Sequence, residues 1–408
     1  MNIDHKPISL KILMPLLAAI MAMSPLAVDL YLPAMPQLAL DLNTEITLVQ
    51  NTLSIYLLGY ALGLILFGPM ADKSSRRHLV ILGISGFTFA SIALSFCQNI
   101  EQFLALRFIQ AFLSSAAIVV VPSAIREYYG KNIAKGLSYV TMIMMLAPLV
   151  APSIGSALLL LGNWPLIFYC ISGYAIIVML FALRFLPERA NLFNTNGSDL
   201  TSVDIKNYSF IERYAIVLGH KQARLDLISS MMVSMAFFAY LTAIPFVYLT
   251  VFKVTELEFS ALFALNVGAL MSAHFINTRL VTRKGSRVML FAGLAVAILA
   301  ASALVGVNYW QLPLLYSVIA IFPLMGSISM IAVNSDALVL TEFAEHSGTA
   351  TAVIGTLRFG IGALAGPILT YFYDGSALPF SLLMLGAILV AAVCQTIIKL
   401  GKPILSKG

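Results

Sequence analysis

Two charged side chains stand with apolar sequence on either side of them. Asp29 lies in MSPLAVDLYLPAMP, residues 23–36, and Arg107 in FLALRFIQAFL, residues 103–113. A carboxyl group taken out of water is costly as an anion unless a cation or a polar cavity faces it, so the chemistry open to it is the uptake and release of a proton. Of the 18 Asp and Glu, Asp29 is the one placed well inside an apolar run and away from its ends. Arg107 lies six residues beyond Glu101, about 9 Å along a helix at 1.5 Å per residue. The two are therefore expected at a shared depth, as an ion pair that either tunes a proton site or only fixes the fold. Arg358 is a third such charge, ten residues into a later apolar run. It reads either as the partner of Asp336 or as a cavity-facing cation that favours anionic or strongly polar ligands. His274 reads as a hydrogen-bonding group between helices.

The elements that position these groups are long and apolar. The chain has 408 residues, 60% hydrophobic and 10% charged, with a mean hydropathy of +0.94. A soluble domain carries about 25% charged residues, so lipid rather than water must cover this surface. Twelve runs reach the roughly 20 residues that a membrane helix needs. They fall at 12–31, 49–70, 79–96, 103–122, 137–161, 165–186, 225–251, 259–281, 288–307, 312–334, 348–372 and 378–398. The first run continues past any cleavage site and reads as a retained helix, not a signal peptide. Pro33 and Pro36 predict a break just after Asp29.

With the N-terminus placed in the cytoplasm, every Lys and Arg falls in a cytoplasmic segment except Lys253, Arg107 and Arg358. That asymmetry predicts an even number of spans and two cytoplasmic termini. It also accounts for the net charge of +6 without nucleic acid. The one long polar stretch, 187–224, reads as a linker between halves 1–186 and 225–408, each with six helices. Basic segments recur at equivalent places, GPMADKSSRR after the second run and RLVTRKGSR after the eighth, as in a duplicated six-helix unit. The fold class is therefore an all-α integral membrane protein of two pseudo-symmetric six-helix bundles. Cys97, Cys170 and Cys394 are far apart and read as packing residues. No metal-ligand cluster, GxSxG element or phosphate loop occurs, so neither an enzyme nor an ATP-driven pump is indicated, and no cofactor is called for.

The pattern resembles the major facilitator superfamily over essentially the whole chain. Gly68, Ala71, Asp72 and Arg76 match its signature loop between helices 2 and 3. Arg107-Phe108-Ile109-Gln110-Ala111 is similar to its proton-coupling element, and APLVAPSIGS, residues 147–156, to its antiporter element, through Pro148, Pro152 and Gly155. Asp29-Leu30-Tyr31-Leu32-Pro33-Ala34-Met35-Pro36 resembles the opening element of the Bcr/CflA branch, which holds bicyclomycin, chloramphenicol and florfenicol exporters. The resemblance implies a proton-driven drug antiporter of the bacterial inner membrane, working by alternating access as a monomer on a small-molecule drug and a proton within the lipid bilayer. A proton-coupled importer of a small metabolite is the other reading. The resemblance also implies a cytoplasmic gate at Gly68, Asp72 and Arg76, where Arg76 has Glu127 as its expected partner. A substrate cavity between the halves is expected to draw on Tyr31, Tyr56, Tyr60, Tyr240, Phe246, Asn266, Asn334 and Arg358.

Overall fold

The computed structural model describes residues 10–73, 75–129, 133–186, 219, 221–342 and 347–401. All regular structure among them is helical. Eleven helices are long and apolar enough to cross a membrane, and a further helix carries the shorter apolar segment Leu146–Leu161.

Compact packing divides the chain into two units. The first comprises Met1–Ala34 with Gly59–Tyr208. It holds α1 (Leu10–Asp29), the C-terminal part of α3 (Ile46–Lys73), α4 (Arg76–Leu94), α5 (Ile100–Ile118), α6 (Val120–Tyr129), α7 (Ile133–Leu161) and α8 (Pro165–Phe185). α1 packs on α7 and α8, and α4 on α5 and α8. Small residues set these approaches. A Cβ on Gly83 of α4 would come within 2.6 Å of the Ala117 backbone nitrogen of α5. Such close backbone contact is how membrane helices associate where lipid supplies no hydrophobic drive.

The second unit comprises Met35–Leu58 with Ser209–Gly408. It holds α2 (Met35–Asp41), the start of α3, α9 (Lys221–Pro245), a π-helical continuation Phe246–Val251, α10 (Glu256–Lys284), α11 (Ser286–Tyr309), α12 (Leu314–Glu342), α13 (Ser347–Gly362), α14 (Ala365–Tyr371) and α15 (Leu378–Gly401). Residues 35–58, expected with the first bundle, thus pack with the second unit. One cause is local: the backbone nitrogen of Gly366 donates to Ser54 Oγ at 2.9 Å, and a side chain on Gly366 would overlap Ser54 and Asn51. The linker expected at 187–224 lies almost wholly outside the described residues.

Turns are short where the backbone can reverse sharply. Asn43, Lys253 and Gln311 adopt positive φ of 49°, 52° and 49°. Thr255 opens α10 with a reciprocal cap, its side chain accepting from the Glu258 nitrogen while Glu258 reaches back to the Thr255 nitrogen. The two basic segments read as repeats turn differently. Gly285 joins α10 to α11 at φ 81°, a conformation that suits glycine. Ser75, at the matching place before α4, has φ −61° and needs no glycine.

Candidate functional site

α1 ends at Asp29, and a short 3₁₀ turn at Leu32–Ala34 leads into α2. The proline-driven break expected after Asp29 is therefore present. Asp29 is 4% exposed. Among the described residues its carboxyl has no ion-pair or hydrogen-bond partner. Gly155 of α7 lies directly against the break: a Cβ there would collide with the Leu30 carbonyl oxygen and come within 3.1 Å of the Pro33 ring. The small residue of the antiporter-like element thus sits beside the residue following Asp29.

Arg107 is fully buried on α5, and the expected ion pair with Asp29 is not formed. Arg107 Nη1 instead donates to the Ala27 carbonyl at 3.1 Å and to Gln110 Oε1 at 2.8 Å. Its guanidinium lies 4.4 Å from the centre of the Tyr31 ring. The reason is geometric. Ala27 and Tyr31 flank Asp29 by two residues on either side, so Arg107 grips the chain around the carboxyl rather than the carboxyl itself. Gln110 continues the network, donating to Ser91 Oγ at 2.8 Å, and Ser91 donates to the Phe87 carbonyl at 2.7 Å. Arg107, Gln110 and Ser91 thereby tie α1, α5 and α4 together. Tyr31 also packs on Phe168, which meets Phe103 and Trp164 edge-on. Gln110 was visible in the sequence three residues after Arg107, the spacing that puts two side chains on one helix face.

The other expected site residues separate into distinct environments. Gly68 lies inside α3, not in a loop, and a Cβ there would meet nothing within 4 Å. Arg76 begins α4, while the side chains of Asp72 and Glu127 lie outside the described residues. Pro148 and Pro152 are inside α7. Tyr31, Tyr56, Tyr60, Tyr240, Phe246, Asn266 and Asn334 are all buried. Two form polar networks in the second unit. Asn266 Nδ2 donates to the phenol oxygens of Tyr240 and Tyr248 at 2.8 and 3.4 Å, and Asn334 Nδ2 donates to Asn277 Oδ1 at 2.6 Å.

Arg358 pairs with Asp336, Nη2 to Oδ2 at 2.5 Å, as one of its two readings foresaw. A second ion pair was missed: Arg287 holds Asp226 through both carboxylate oxygens, at 3.3 and 3.2 Å. Both lie near the ends of apolar runs, where sequence alone shows only charges flanking a membrane. An apolar groove of about 370 Å³ between α11 and α12, lined by Leu299, Tyr316, Ile319 and Pro323 among others, has no converging polar group. No cluster able to hold a metal occurs among the described residues.

Eleven helices long and apolar enough to cross a membrane are the arrangement of a multi-pass membrane protein. A family model, the Major Facilitator Superfamily, matches residues 17–367. The chain belongs to that superfamily, and it is a multi-pass membrane transporter of small molecules rather than an enzyme. It is 29% identical to a bicyclomycin resistance protein homolog of Haemophilus influenzae, over 94% of this chain and 95% of that one. It is 30% identical to the MFS-type transporter YdgK of Bacillus subtilis, over 90% of each. The multidrug resistance protein MdtL of Vibrio parahaemolyticus is 31% identical over 48% of this chain and 50% of its own. Among solved structures, a bacterial homolog of the lysosomal transporter Spinster aligns with a TM-score of 0.71 at 14% identity, covering 95% of both chains. The nucleoside transporter NupG aligns with a TM-score of 0.69 at 13% identity, covering 96% of this chain and 98% of that one. These two likenesses concern the fold.

Proposed function

We propose that the chain exports small drugs across the bacterial inner membrane in exchange for protons, with Asp29 as the proton-carrying group. The observation that carries this reading is the Asp29 carboxyl, 4% exposed at a helix break and without an ion-pair partner among the described residues. Such a group is costly as an anion, and a proton removes the charge. The drug as cargo comes from the relatives named for bicyclomycin and multidrug resistance.

In this scheme the termini and the 187–224 linker are cytoplasmic, a placement that the distribution of Lys and Arg supports. Asp29 takes a proton from the outer side and drug leaves. The carrier turns inward, and drug binding expels the proton into the cytoplasm. Mutual exclusion of the two ligands is sufficient, because linkage is reciprocal. Each proton moving inward gains about 2.3 kcal/mol per 100 mV. Arg107 holds Ala27 and Tyr31, and so fixes the backbone around the proton site. Asp72, Arg76 and Glu127 serve the cytoplasmic gate.

The test is drug accumulation in an efflux-deficient host, with and without a proton uncoupler, across a panel that includes bicyclomycin and chloramphenicol. Wild type keeps accumulation low until the uncoupler is added. Wild-type, pH-dependent export by Asp29→Asn would remove Asp29 from the scheme, and uncoupler-sensitive uptake would make the chain an importer.

A further inference from the structure

α9 carries two polar sites one helical turn apart, at Asp226 and Ser230, and they are built differently. The Asp226 site is closed. Its side chain is 1% exposed, both its oxygens take Arg287, and Gln395 Nε2 donates to Oδ1 at 2.8 Å. Arg287 Nη1 also donates to Gln395 Oε1 at 3.0 Å.

The site at Ser230 is open. Ser230 Oγ donates to Asp336 Oδ1 at 2.8 Å, which leaves only Oδ2 for Arg358. A guanidinium presents five N–H donors in a fork made to take both oxygens of one carboxylate. Here Ser230 diverts one oxygen, and Arg358 holds its partner through Nη2 alone while its Nε is buried with no acceptor. The side chains of Arg358 and Asp336 are 31% and 26% exposed. Arg358 lies five residues into the apolar span Val353–Tyr371 and Asp336 three before the end of Leu314–Val339, about 7 and 4 Å along their helices. Charges at that depth face protein or water, not lipid.

We propose that Arg358 is a docking point for a carboxylate on a transported solute, taken up through the donors that Asp336 leaves unused. Asp336 is the internal competitor that keeps Arg358 oriented when no such solute is present, and Ser230 keeps that competition weak by holding one of its oxygens. The inference rests on the transporter reading and names one chemical class among its cargo. It does not depend on the proton step.

The test uses the purified full-length protein at fixed pH, with no gradient, and two probes sharing one aromatic body: chloramphenicol and its succinate hemiester. Equilibrium dialysis should show wild type binding the hemiester more tightly than the neutral parent. Arg358→Gln should weaken hemiester binding tenfold or more and leave the parent within twofold. Asp336→Asn should strengthen hemiester binding severalfold, because it removes the competitor. These opposite signs separate a docking site from a structural pair, whose two variants would weaken both probes together. That outcome overturns the proposal, and so does the reverse pattern, which would mark Asp336 as a cation site. Should Arg358→Gln not fold, Arg358→Lys keeps the charge without the fork, and an intermediate loss of hemiester binding supports the assignment while unchanged binding overturns it. The same measurement on Asp29→Asn keeps the two proposals apart: hemiester binding persists there whether or not export is lost.

Discussion

Gly155 faces the carbonyl of Leu30, the residue after Asp29, so closely that only a hydrogen fits between them. Gly155→Ala must therefore push α7 and the break in α1 apart, because the atom in its way is backbone and cannot swing aside. We expect the variant to insert and fold with slower export and a pH profile shifted from wild type. A profile that overlays wild type, read as export rate against external pH, would separate Gly155 from the proton site.

Gly68 is the opposite case. It lies within α3 with open space around its Cα, and Gly in a helix interior costs about 0.5–1 kcal/mol relative to Ala. Gly68→Ala should leave transport unchanged and raise the unfolding temperature slightly. A strong transport defect with normal folding would show that Gly68 is needed for the gate implied by resemblance.

Arg107 holds the Ala27 carbonyl of α1 and the Tyr31 ring just beyond its end from one guanidinium. Arg107→Lys keeps a cation but cannot reproduce the fork, so Gln110 and the Ala27 carbonyl compete for one ammonium. Export should fall at least tenfold, with a thermal stability loss smaller than that of Arg107→Ala. Equal unfolding temperatures for the two variants would contradict this account.

Asp226 is buried and bound through both oxygens to the half-buried Arg287, with Gln395 donating to it as well. Removing one partner of such a pair costs about 3–5 kcal/mol, since the other charge is left buried alone. Arg287→Ala should therefore destabilise the detergent-purified protein strongly. Adding Asp226→Ala should restore part of the loss, and purely additive effects would show that the two charges act independently.

The proton step has its own magnitude. At about 2.3 kcal/mol per 100 mV, coupling of one proton sustains a drug gradient of roughly 50-fold. Asp29→Asn should let that gradient collapse to equilibrium while drug still crosses in both directions, measured as counterflow in proteoliposomes. Retention of an uphill gradient would place the coupling group elsewhere.

The spans were legible because lipid imposes a length and a polarity on every crossing segment, and the proline pair after Asp29 announced the break. The pair of Arg358 and Asp336 was one of two readings open in the sequence, since Asp336 lies just past the end of its apolar run and few other partners are at hand. The partners of Arg107 were not legible. Depth along a helix can be counted from the sequence, but the direction in which a side chain leaves the helix depends on how neighbours cross, and a backbone carbonyl such as that of Ala27 offers no sequence signal at all. The network of Asp226, Arg287 and Gln395 was hidden for a related reason. Its members lie 61 and 169 residues from Asp226, each at a helix end where a charge is ordinary. Cavity residues are harder to read, because aromatic and amide side chains fill cores and line pockets equally well.

The π-helical segment Phe246–Val251 changes what α9 presents to its neighbours. Eight residues of ordinary α-helix rotate a side chain by about 80° from its starting direction, which would carry Tyr248 away from Tyr240. The wider π turn rotates less per residue and brings both phenols to the single amide of Asn266. The chain thus corrects the phase of a helix by its pitch rather than by its residues. Deleting one residue from 246–251 would preserve composition and hydropathy, and would still unseat Tyr248.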